Sequence, residues 1–164
     1  MLLSHAIKPM IKPLDQMYEA HHGMVFRTAY RITGNAADAE DVLQTVFLRM
    51  VRGNPAVENP ESYLRRSAVN AALDVVRARH DNDTLEPERM AASGSCTELR
   101  ELRDSLRRAL SKLTPRNAEM FAMRFFEGYT NPEIAKLMGI SQVVVAVTLH
   151  RTRQKLKKEM GGSR

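Results

Sequence analysis

Apolar side chains recur along the first eighty residues at intervals of three and four. Leu14, Met17, Tyr18, His21, Val25, Thr28, Ala29 and Ile32 fall on one side of a helix. Gly34-Asn35 interrupts it. Asn35 is suited to cap a second helix, with Asp38 in its first turn to complement the helix dipole. The stripe of that helix is Ala39, Val42, Leu43, Val46, Phe47, Met50 and Val51, and Gly53-Asn54-Pro55 ends it. Asn59-Pro60-Glu61 starts a third helix, with a cap, a residue preset for the first position and an acid in the first turn. It continues to about Arg79. Three helices with short connections predict a small all-helical domain over residues 14–80.

Periodicity fails over residues 81–98, where Pro87, Gly94 and a cluster of Asp, Asn, Ser and Thr predict a linker. Helical spacing resumes at Leu99, Leu102, Leu106, Ala109, Leu110 and Leu113, opening a second domain over residues 99–164. Thr114-Pro115 caps a further helix that ends at Glu127-Gly128. The fold class predicted is all-α, with two small helical domains joined by a flexible linker.

The segment from Asn131 to His150 carries the sharpest local pattern. Thr130 and Glu133 have the spacing of a capping box. Gly139 supplies the left-handed backbone of a tight turn, and Ser141 can cap the helix that follows. Ala135 lets the two helices approach, while Ile140 and Val145 close a small core. This is the pattern of a helix-turn-helix whose second helix enters the major groove; an ordinary helical hairpin is the plainer alternative. Base-facing positions fall at Gln142, Val143, Ala146 and Val147. Of these, only Gln142 can hydrogen-bond a base edge, while the valines suit thymine methyls or local packing. Arg151, Arg153, Lys155, Lys157 and Lys158 are placed to neutralise phosphates.

Charge sharpens this picture. Residues 99–164 carry 14 basic and 6 acidic side chains, net +8, against +2 for residues 1–80 and −4 for the linker. A polyanion read mainly by the second half fits that distribution. A single cysteine, Cys96, excludes an internal disulfide and has no partner for a zinc site. The five histidines form no metal pattern, and no nucleophile or phosphate loop is present, so no cofactor or catalytic residue is expected. No apolar run is long enough to span a membrane, and a reducing cytoplasm fits best. Residues 1–13 lack the features of a signal peptide and are expected to be a disordered lead-in, of the sort an overlong gene start leaves.

Two stretches carry a family resemblance. The run from Leu113 through Thr-Pro-Arg-Asn-Ala-Glu-Met-Phe-Ala-Met-Arg-Phe-Phe-Glu-Gly-Tyr-Thr-Asn-Pro-Glu-Ile to Ala135 resembles the promoter-reading C-terminal domain of sigma-70 type factors. Asp38-Ala-Glu-Asp-Val-Leu-Gln-Thr-Val-Phe resembles the stretch with which such factors grip core RNA polymerase. Both motifs in order, with a linker between them and no further domain, resemble the extracytoplasmic function (ECF) subfamily. The resemblance implies a sigma factor that directs promoter recognition, not an enzyme. Its implied partners are core RNA polymerase, at the beta-prime coiled coil and the beta flap, promoter DNA, and an anti-sigma factor.

Implied roles follow residue by residue. Asp38, Asp41, Gln44 and Leu48 lie opposite the apolar stripe and would meet the polymerase, although Asp38 and Asp41 equally suit the helix dipole. Tyr63, Arg66, Asn70, Asp74 and Arg77 would take the unpaired strand of the −10 element, Asn70 and Asp74 being equally suited to capping or packing. The chain has no tryptophan, and Tyr63 stands where the family often has one. Ser141, Gln142, Val143, Ala146, Val147, His150, Arg151, Arg153 and Lys155 would face the −35 element. Here the sequence departs from the family's Gly-Thr-Val-Lys-Ser-Arg pattern, with Val143-Val-Val-Ala-Val-Thr148 in its place. The competing reading is a free-standing helix-turn-helix regulator, which has no reason to carry the Asp38–Phe47 stretch.

Overall fold

The computed structural model describes residues 4–53, 57–83 and 95–161, with side chains from residue 13 onward except at 83, 95 and 96. Among these it is all-α: α1 (Ser4–Thr33), α2 (Ala36–Gly53), α3 (Pro60–Asp83), α4 (Ser95–Ser111), α5 (Pro115–Phe125), α6 (Asn131–Met138) and α7 (Gln142–Gly161).

The starts of the helices follow the local chemistry. Asn35 and Asn59 each accept, through the side-chain oxygen, the backbone N–H three residues on, at 3.2 and 3.1 Å. Thr114 does the same for Asn117 ahead of Pro115. Gly34 takes a φ of 68°, which lets the chain reverse between α1 and α2.

The first three helices pack as a bundle around Val25, Ala29, Ile32, Val42, Val46, Leu64, Val69 and Leu73, all buried. Of the expected α2 stripe, Ala39, Val42, Val46, Phe47 and Met50 are buried, Leu43 is half-buried and Val51 is exposed. Two other expectations shift. The helix reaches back to Ser4 through the stretch expected as a lead-in, although Pro9 and Pro13 lie in its interior, where each removes a helical hydrogen bond. The stretch 81–98 is helical at both ends, to Asp83 and again from Ser95, with its strongest breakers, Pro87 and Gly94, in between. Residues 84–94 lie outside those described.

The two halves pack on each other. α3 packs on both α4 and α5. A single apolar core joins the bundle to Ala109, Leu110, Leu113, Ala118, Phe121, Ala122 and Leu156. A smaller core of Met120, Met123, Ile134, Ala135, Val145 and Leu149 lies under α6 and α7.

Candidate nucleic-acid and partner interfaces

The stripe opposite the buried face of α2 stands outward. Asp41, Gln44 and Leu48 are exposed, Leu48 at 52%. Asp38 departs from the ridge: its carboxylate is largely buried and ion-paired with Arg79 of α3. Phe47 is core, and Tyr18 meets it edge to face while stacking on His22. A groove beside the ridge is lined by Tyr18, His22, Phe26, Leu43 and Gln44. Sequence spacing placed Tyr18 in the core, but the helix carries it to the rim, where 43% remains exposed.

The expected −10 residues share α3 but differ in surroundings. Tyr63 is half-buried against the main core. Arg77 pairs with Asp74 at 3.2 Å, and Asn70 is half-buried. Arg66 is already engaged: its Nε donates to Glu119 of α5 at 2.7 Å, and a terminal nitrogen donates to the carbonyl of Leu137 at 3.1 Å.

Beside it lies a group that sequence reasoning missed. The Glu127 side chain is wholly buried. One of its oxygens accepts from Arg65 at 2.8 Å and from the Thr28 hydroxyl at 3.0 Å, and the other lies 3.5 Å from Arg31. Arg65 also binds Glu61 and sits over the Tyr129 ring. Burial opposes the Arg65 charge, but the bonds to Glu61 and Glu127 outweigh it and hold the guanidinium above its ordinary pKa. Burial also pushes the Tyr129 phenol up, with Arg65 opposing. The available signal was an acid inside the apolar run from Ala118 to Met123, and a second just before Gly128.

In the second half, Thr130 and Glu133 form a complete capping box, and Gly139 takes φ 65° and ψ 36° between α6 and α7. The two helices turn through 107°, within the range of a helix-turn-helix. Ser141 Oγ accepts the N–H of Val144 at 3.3 Å, so its hydroxyl serves α7 as a cap. Val145 is buried, whereas Val143 is 71% exposed and Val144 and Val147 stand out beside it. Local packing therefore accounts for Val145 but not for its neighbours. Gln142, Ala146, His150, Arg151, Arg153 and Lys155 are exposed along the same helix. Arg153 and Arg124 both approach the exposed Phe125 ring, at 5.8 and 5.9 Å. Among the described residues no group of acids, histidines or cysteines could hold a metal, and no single helix is long and apolar enough to cross a membrane.

Comparisons with known proteins agree with this layout. Residues 17–81 match the model of sigma-70 region 2, and residues 103–156 match that of sigma-70 region 4. The chain is 31% identical over 154 residues to the ECF RNA polymerase sigma factor SigE of Mycolicibacterium smegmatis, covering 87% of this chain and 60% of that protein. It is 29% identical over 154 residues to the RNA polymerase sigma factor CarQ of Myxococcus xanthus, covering 90% and 88%. The fold is shared with CnrH, solved with the cytosolic domain of CnrY (TM-score 0.55, 22% identity, 93% of this chain and 90% of that one). It is also shared with RpoE of Bartonella quintana, solved with the anti-sigma factor NepR (TM-score 0.52, 14% identity, 93% and 99%). Both regions in one chain set aside the free-standing regulator, and the family comprises transcription initiation factors, not enzymes. The chain thus belongs to the sigma-70 family of RNA polymerase sigma factors, in its extracytoplasmic function group.

Proposed function

We propose that this sigma factor grips core RNA polymerase with the outer ridge of α2, Asp41, Gln44 and Leu48. In this reading it takes the melted −10 strand on α3 with Tyr63, Arg66, Asn70 and Arg77. It meets the −35 region with α7, from Gln142 to Lys155. The observation that carries the reading is the α2 ridge: a polar stripe with one protruding leucine, opposite a buried apolar face. Asp38 and Asp74 drop to positioning parts, since each is paired with an arginine. The chain acts in the cytoplasm with the polymerase, and an anti-sigma factor is a further partner.

The test is retention of the full-length chain on immobilised core polymerase. Asp41→Lys and Gln44→Ala are expected to weaken it while far-UV circular dichroism stays unchanged. Undiminished binding by both variants overturns the ridge assignment. Transcription of a genomic library by the reconstituted holoenzyme then identifies the promoters.

A further inference from the structure

Where the last turn of α5 meets α7, two arginines approach one aromatic ring. Phe125 lies one turn beyond Phe121, which is buried in the main core, and the two rings pack with centroids 4.5 Å apart. Phe125 is nonetheless 46% exposed. Arg153 reaches it from α7, its guanidinium carbon 5.8 Å from the ring centre, and Arg124 reaches it from α5 at 5.9 Å. Leu149, Thr152 and Leu156 form the buried side of α7. Arg153, one turn past Leu149, therefore rises at the edge of the packed face, beside the end of α5.

We propose that Phe125 is a positioning residue for DNA binding: it holds the Arg153 guanidinium in place for a backbone phosphate without using any of its N–H donors. This rests on the α7 reading given above. How an arginine is held decides what it can still bind. On α3, Arg66 donates to Glu119 and to the carbonyl of Leu137, so two of its nitrogens are committed. A ring instead attracts the cation through its π face, which leaves the fork of donors free for a phosphate. Among the described residues Arg153 has no carboxylate partner, so both its charge and its donors are uncommitted. Arg151 is exposed on the same helix and, among the described residues, lies over no ring.

Holding this cation matters on this helix in particular. Val143, Ala146 and Val147 offer no hydrogen bond to a base, so backbone contacts have the larger part in setting how α7 sits in the groove. A free arginine loses rotamer freedom when it binds a phosphate. One already resting on a ring has lost part of that freedom beforehand.

The experiment measures binding of the full-length chain to a labelled DNA duplex of mixed sequence across a salt series. Phe125→Leu keeps an apolar side chain against Phe121 and removes the aromatic face, whereas Phe125→Tyr keeps the face. Phe125→Leu should weaken binding roughly two- to fivefold, the range of an exposed cation–π contact, and Phe125→Tyr should bind as the wild type does. The log–log salt slope of Phe125→Leu should move toward that of Arg153→Ala, whose loss of one phosphate contact lowers it by about 0.9. A ring with a merely structural role would leave that slope unchanged. Two double variants decide the matter. Added to Arg153→Ala, Phe125→Leu should have no further effect; added to Arg151→Ala, it should weaken binding by its full factor. The same loss in both backgrounds shows that Phe125 acts independently of Arg153, and overturns the proposal while the α7 reading stands. Undiminished binding by Phe125→Leu alone does so too. Should Phe125→Leu lose helix content, Phe125→Met carries the same comparisons. If Arg151→Ala and Arg153→Ala both bind duplex as the wild type does, α7 is not the DNA face and both readings fall.

Discussion

At the residue scale, the structure separates side chains that the sequence presents as equals. Asp38 and Asp41 both stand early in α2, yet Asp38 turns to Arg79 and Asp41 faces water. Asp38→Ala should therefore lower stability and spare polymerase binding, whereas Asp41→Lys should do the reverse. Comparing thermal midpoints with polymerase retention checks both. Adjacent arginines diverge in the same way. Arg65→Ala leaves the wholly buried Glu127 carboxylate with only the Thr28 hydroxyl and the more distant Arg31, and should cost about 3 kcal/mol in urea unfolding. Arg77→Ala breaks a pair whose Asp74 side chain is 63% exposed, and should cost less than about 1 kcal/mol. On melted promoter Arg77→Ala should still reduce open-complex formation, which permanganate footprinting of the −10 region reads.

At the scale of elements, α6 and α7 illustrate two kinds of control. The start of α6 depends on the capping box, so Thr130→Ala should destabilise the helix-turn-helix by about 1 kcal/mol. Bonds from the Thr130 backbone N–H and hydroxyl hold the Glu133 carboxyl below its ordinary value. A group with a depressed folded pKa stabilises fully above its unfolded value and loses that contribution as pH falls through the folded one. Acid titration followed by hydrogen exchange should accordingly show α6 loosening below the ordinary Glu range, a component missing in Glu133→Gln. Among the early α7 positions 142, 143, 146 and 147, Gln142 is the residue able to make a bidentate base contact. Binding of the full-length chain to duplex DNA should fall steeply with salt. Arg151→Ala should weaken it on all sequences and lower the log–log salt slope by about 0.9. Gln142→Ala should instead flatten whatever sequence preference a randomised library reveals. A sharp motif, with mismatches costing more than about 3 kcal/mol, would show that α7 faces the groove differently.

At the scale of the molecule, the core does not respect the boundary that composition suggests. Leu110, Leu113, Phe121 and Leu156 are buried in the same cluster as Val25, Leu64 and Val69. Cutting the chain within residues 84–94 should therefore cost each half apolar burial worth about 25 cal/mol per Å². The intact chain is expected to unfold in one calorimetric transition, and each half at a lower temperature. Two independent transitions in the intact chain would mean that the shared core contributes little.

Much of the local structure was written in the sequence by itself. Asn35, Asn59, Thr114, Thr130 and Gly139 act through bonds spanning three or four residues, so their roles follow from spacing without knowledge of the fold. The buried stripe of α2 and the order of the two regions were equally legible, because helical period and motif order are one-dimensional properties. Tertiary structure alone decided where each polar face turns. Glu119 and Glu127 read as solvated acids until α5 packs on α3 and buries them against arginines more than fifty residues away. Whether Arg66 meets DNA or its own chain, and whether Val143 and Val147 are core or surface, depends on which neighbour approaches that side of the helix. Periodicity shows that a face exists, and only packing shows what covers it.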